Sequence, residues 1–101
     1  MTINILGHEY QLVPDEGMYF NTGNYGLHSY SKLKIEYDPD MKPSVWKEAI
    51  LHELIEAVNY WSDLKLEHHQ ITVLSAVLYG IIMNNPELTE KLFKETTDVI
   101  E

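Results

Sequence analysis

Two segments of this 101-residue chain, His52-Glu53-Leu54-Ile55-Glu56 near its middle and Glu67-His68-His69 shortly after, supply histidines and glutamates of the types that hold metal ions through nitrogen and oxygen. The first group departs by one residue from the HExxH pattern, in which two histidines one helical turn apart bind zinc and the intervening glutamate serves as general base. Glu56 stands where that pattern has its second histidine. At about 100° per residue of helix, His52 and Glu56 are only about 40° apart and one turn along, so both can reach one ion. Glu53 stands off to the side of the pair, suited to act on a metal-held water rather than on the metal.

A catalytic zinc centre ordinarily takes three protein ligands and keeps a fourth position for water. The third ligand has to come from outside the first helix, and His68 is the expected one, with His69 the alternative. Successive helical residues point about 100° apart, so the two should not share one ion. A metal-free reading stands beside this one: the histidine pair as a solvated helix start, and Glu53 or Glu56 paired with Lys47 or Lys65. The surroundings weigh against it. Ile50, Leu51, Leu54, Ile55, Ala57, Val58 and Trp61 make the helix apolar on nearly all sides and predict that it is largely buried. Unpaired charge among such neighbours costs several kcal/mol, and a metal is one partner that offsets it.

The elements that must position these residues change character near residue 42. Before it, Thr2–Leu6 and Glu9–Val13 read as strands joined by a turn at Gly7-His8, and Leu33, Ile35 and Tyr37 alternate with Lys34 and Glu36 as a further strand. Residues 14–17 and 21–26 carry the glycine and asparagine of loops. The segment from Asn21 to Ser31, with Tyr25, His28 and Tyr30, is the expected rim of a cleft. Asp38-Pro39-Asp40 ends the last strand.

Pro43 then suits the first turn of a helix that nothing interrupts from Ser44 to Asp63. A second helix is predicted from Glu67 to Met83, with Gly80 a weak point of roughly 1 kcal/mol. Asn84-Asn85-Pro86 closes it and opens a short third helix capped by Asn85 and reaching about Lys94, beyond which the polar end should fray. A short link makes the first two helices antiparallel neighbours, which carries His68 back towards His52. The fold class expected is α+β: a small N-terminal antiparallel sheet, a helical hairpin carrying the site, and a short C-terminal helix, all in one domain spanning residues 1–101.

Composition narrows the chemistry. Without cysteine, neither a disulfide nor a thiolate site is available. A formal charge of -9, from 7 basic and 16 acidic residues, disfavours nucleic acid and anionic membranes as partners and leaves open metal cations and basic protein surfaces. The first residues lack the basic start and long apolar run of a signal segment, and no apolar run approaches membrane-spanning length, so a cytoplasmic location is the expectation.

The segment from Ala49 to Val58, together with Leu66-Glu67-His68-His69-Gln70-Ile71 and Leu74 to Pro86, resembles a family of small phage and prophage proteins that look like minimal zincin-type metallopeptidases. In that family a helix of the form E-(T/A)-(L/I)-L-H-E-x-x-H-A is followed by a second that begins with acidic residues and ends L-Y-x-x-(L/I)-x-x-N-P. The resemblance covers roughly residues 33–88. Two positions depart from it together: Glu56 replaces a histidine, and His68 replaces an acid early in the second helix. The ligand set His, His, Glu becomes His, Glu, His, with the same count and the same total charge.

The resemblance implies a zinc-dependent peptidase whose ligands are His52, Glu56 and His68. Glu53 would take a proton from the zinc-held water that attacks a peptide carbonyl and return it to the leaving amine. Tyr60, Tyr30 and His28 are candidates for stabilising the oxyanion, or else ordinary packing residues. It also implies a peptide or protein substrate and, for a phage-encoded chain, the host cytoplasm. The alternative is a non-catalytic acidic protein that inhibits a host enzyme or defence system, with or without the metal.

Overall fold

The structure, a computed structural model, describes residues 1–94. It is α+β, with β1 (Thr2–Ile5), β2 (His8–Pro14), α1 (Met18–Thr22), β3 (Gly26–Ser29), β4 (Lys34–Tyr37), α2 (Pro43–Ser62), α3 (His68–Asn84) and α4 (Pro86–Phe93) in chain order. The expected N-terminal sheet, helical hairpin and short last helix are all present. The end of the chain expected to fray lies outside the described residues.

The four strands lie in the order β1-β2-β4-β3. β1 and β2 form a hairpin whose two turn residues are Leu6 and Gly7, with φ of 50° and 85°, one residue earlier than predicted. Positive φ at both positions matches the right-handed twist of the flanking strands, and glycine adopts it without cost. The sheet is mixed rather than wholly antiparallel, because β2 pairs with β4 in parallel. The segment read as loop contains the short helix α1 and the strand β3. α1 carries the chain across the end of the sheet, so β3 lands on the outer edge and β4 turns back between β3 and β2. Asp38 fastens this crossing, accepting the backbone N–H of Tyr19 and of Asp40, each at 2.9 Å.

α2 lies on one face of the sheet. Ile5, Tyr10, Ile35 and Ala57 are buried together, with Ile3, Leu12, Leu33, Leu54 and Trp61 packed around them. The prediction that α2 is largely buried holds only in part: Ala57 alone is fully buried, and most of the helix is half-buried. One side meets the sheet and another meets α3, and two contacts cannot enclose a 20-residue helix in so small a domain.

α3 begins at a capping box. The Glu67 side chain accepts the N–H of Gln70, while Gln70 Oε1 accepts the N–H of Glu67 at 2.8 Å. Gly80 does not break the helix. Asn85 occupies the cap position of α4, but its side chain donates back to the Ile81 carbonyl at 2.9 Å instead of capping. Among the described residues no single helix is long and apolar enough to cross a membrane. α3 and α4 reach that length only together, and they meet at 98°.

Candidate metal centre

His52, Glu53 and Glu56 come from the middle of α2, where the chain below them is pinned to the sheet through Leu54, Ala57 and Trp61. His68 comes from the first residue of α3. The link between the helices places Asp63 and Lys65 in the left-handed region, with φ of 55° and 61°, a conformation that costs a non-glycine residue roughly 1–2 kcal/mol. Asn59 holds that link in place. Its side chain accepts the Leu66 N–H at 2.9 Å and donates to the Leu66 carbonyl at 3.2 Å, two residues before His68.

The result is a group of three donors. One ligand atom each from His52, Glu56 and His68 lies within 4.8 Å of the other two, so the group could hold a metal ion. The His52 and His68 rings are 5.0 Å apart between centroids and inclined at 62°. A tetrahedral ion with bonds near 2.0–2.1 Å sets its donors roughly 3.4 Å apart, so closure needs side-chain shifts of at most about 1 Å. Burial lowers the pKa of His52, and the nearby His68 adds to that against the opposing charge of Glu56. A histidine kept neutral has the free lone pair a metal needs. His69 is exposed and outside the group, and Glu67 is occupied as the helix cap.

Glu53 is the most perturbed acid in the cluster. Its pKa is raised from 4.5 to about 7, first by burial and then by the charge of Glu56, while the backbone N–H of His28 partly opposes both by donating to it. The pairing of Glu53 or Glu56 with Lys47 or Lys65 that the metal-free reading offered is not formed. Among the described residues the ion pairs are Lys34–Glu36 and Lys94–Glu90. Gly26, on the edge strand β3, lets the backbone approach this carboxylate closely. A Cβ added there would lie 3.1 Å from Glu53 Cγ and 3.3 Å from its Oε2.

A cleft of about 650 Å³ opens beside the triad, walled by residues of α2 and α3 and by Gly23, Asn24, Tyr25 and Gly26. Of the three rim residues expected from the sequence, only Tyr25 lines it, stacked on Tyr19 at 4.6 Å. His28, Tyr30 and Tyr60 belong to another cluster. Tyr30 stacks on Tyr60 at 4.5 Å, and His28 meets Tyr60 edge-on at 6.2 Å. Trp61 Nε1 donates to the Tyr10 hydroxyl at 2.7 Å, and that hydroxyl in turn is hydrogen-bonded to His28 Nε2 at 2.5 Å. Burial lowers the pKa of His28, so the ring stays neutral.

Sequence reasoning missed Asn59, Gly26 and the Trp61–Tyr10–His28 chain. Their roles depend on contacts across elements, and only the glycine-rich stretch before β3 carried a visible signal. Comparison with protein-family models, curated proteins and solved structures gives no match. The chemistry of the site therefore rests on its own geometry.

Proposed function

We propose that this protein is a zinc-dependent peptidase, with His52, Glu56 and His68 as ligands and Glu53 as general base. The observation that carries the reading is the convergence of two nitrogen donors and one carboxylate from two helices, with a second, protonatable carboxylate beside them at the end of a cleft. Two imidazoles and one carboxylate form a donor set that suits zinc. Zinc held there supplies a Lewis acid that acidifies water and polarises a carbonyl.

The protein groups do the rest. Glu53, at about 7 without a metal, would be charged beside a cation held at the triad, and in that form it would accept a proton from water and later deliver it to a leaving amine. The N–H of His28 and the close backbone at Gly26 orient that carboxylate. β3 is one of the two edge strands of the sheet, and its residue Gly26 lies against Glu53. An extended peptide can add to such an edge as one more strand, which favours a peptide over a small-molecule substrate.

The test is metal content and hydrolysis measured together on protein purified without a metal-binding tag. We expect about one zinc per chain, peptide cleavage lost on chelation, and Glu53→Gln retaining zinc while losing a factor of roughly 10²–10⁴ in rate. Protein prepared with zinc available that carries far less than one equivalent would overturn the reading.

A second reading is a non-catalytic acidic interaction protein, and one observation favours it. Val73, Leu74, Val77, Leu78, Ile81, Ile82 and Met83 leave the outer face of α3 between 37% and 53% exposed, residue by residue. Uncovered apolar faces of that kind mark protein contacts. Activity abolished by Val77→Glu and untouched by Glu53→Gln would favour it.

A further inference from the structure

The cleft beside the triad has a polarity that zinc binding alone does not require. α2 runs along it with Glu48 and His52, one turn apart, while His68, Thr72, Ser75 and Tyr79 form a matching stripe on α3. Among the described residues no lysine or arginine lines it, and the carboxylates that do are Glu48 and Glu53. Glu53 is engaged by the His28 N–H at the metal end. Glu48 is half-buried and takes part in neither of the ion pairs found among the described residues. A carboxylate partly withdrawn from water and facing a cleft without a cation is matched by a ligand that brings one.

We propose that this cleft is a subsite for the cationic side chain of a lysine or arginine residue in the substrate, with Glu48 as its counter-charge. The inference rests on the metal reading of His52, Glu56 and His68.

Spacing supports it. Four residues of helix separate Glu48 from His52, about 6 Å along the axis. A lysine ammonium on its four-carbon stem reaches roughly the same distance from its own Cα. A residue whose carbonyl lies at the metal therefore sets its ammonium or guanidinium beside Glu48. Val45 and Ala49 line the same cleft and suit the aliphatic stem, and Tyr25 and Tyr79 add aromatic rings to its lining. An acidic side chain would meet Glu48 and Glu53 with no cation to offset them. A purely apolar one would leave Glu48 desolvated and unmatched.

The experiment measures binding of three hydroxamates of equal backbone to the zinc-loaded full chain: Nα-acetyl-lysine, Nα-acetyl-norleucine and Nα-acetyl-glutamate hydroxamate. All three present the same metal-binding group, so norleucine reports the metal site and the lysine-to-norleucine ratio reports Glu48. We expect the lysine compound to bind about tenfold tighter than norleucine and glutamate to bind weakest. In Glu48→Gln the lysine advantage should disappear with norleucine binding unchanged, and in Glu48→Lys the order of lysine and glutamate should reverse. Equal binding of lysine and norleucine to the wild-type chain, or a lysine advantage that survives Glu48→Gln, overturns the subsite while leaving the metal site intact. Failure of all three compounds to bind overturns the metal reading and the subsite with it.

Discussion

The two walls of the candidate site are built differently. α2 rests on the sheet through Leu54, Ala57 and Trp61, so His52, Glu53 and Glu56 stand on a braced surface. α3 leans mainly on α2. Only Ile71 and Ser75 are buried along its 17 residues, and its one ligand, His68, is an exposed residue at its first turn. The wall that carries two ligands and the base is preorganised, whereas the wall that carries the third depends on a strained link and the Asn59 side chain. A metal ion would then be a brace for α3 as well as a reagent.

Ligand removal should expose the asymmetry most strongly. His52→Ala should weaken zinc binding roughly a thousandfold, because the remaining ligands sit on separate helices, and His68→Ala should cost about 10- to 100-fold, because His52 and Glu56 stay in place. His69→Ala should change nothing. Competition against a chromophoric chelator measures all three, and an equal loss for His52 and His68 would mean that the two walls are equally rigid.

The braced wall should also cost stability without its metal. The folded pKa of Glu53, about 7, lies above its ordinary 4.5, so the folded state binds this proton more tightly than the unfolded state. The resulting stabilisation is complete below pH 4.5 and is lost as pH rises to 7, a change on the order of 3 kcal/mol. Metal-free Glu53→Gln should therefore be more stable than the wild type at pH 8 by up to that amount and no more stable at pH 4. Urea denaturation at the two pH values decides it, and equal stability at pH 8 would show that the carboxylate is not desolvated.

Exchanging ligands between the walls is a finer probe. Glu56→His with His68→Glu keeps the ligand count and charge, while each single change alters the charge by one unit. The double-mutant cycle for zinc affinity should show a coupling of about 1 kcal/mol or more. Strict additivity would mean that Glu56 and His68 do not share an ion.

The smallest effect belongs to the link. Asn59→Ala removes two hydrogen bonds to Leu66 and should weaken zinc binding about tenfold, the worth of one or two net hydrogen bonds. In a His68→Ala background it should have no effect on metal affinity. A loss that persists there would mean that Asn59 supports the fold in general rather than the placement of His68.

Much of this architecture was legible in local pattern. Pro43, the unbroken run that follows it, and Asn84-Asn85-Pro86 bounded α2, α3 and α4 to within a residue or two, because caps and prolines act on their own neighbours. His52, Glu53 and Glu56 shared a helix surface by periodicity alone. The order of the strands was not legible. The parallel pairing of β2 with β4 and the edge position of β3 depend on how α1 crosses the end of the sheet, and a short strand such as Gly26–Ser29 carries too little alternation to announce itself. Helix period also could not say whether His68 would reach His52, since that distance is set by the left-handed turns at Asp63 and Lys65 and by the grip of Asn59 on Leu66. Residue types and spacing along one helix determined which chemistry was available. The long-range contacts that bring a second helix and an edge strand against it decided where that chemistry could meet.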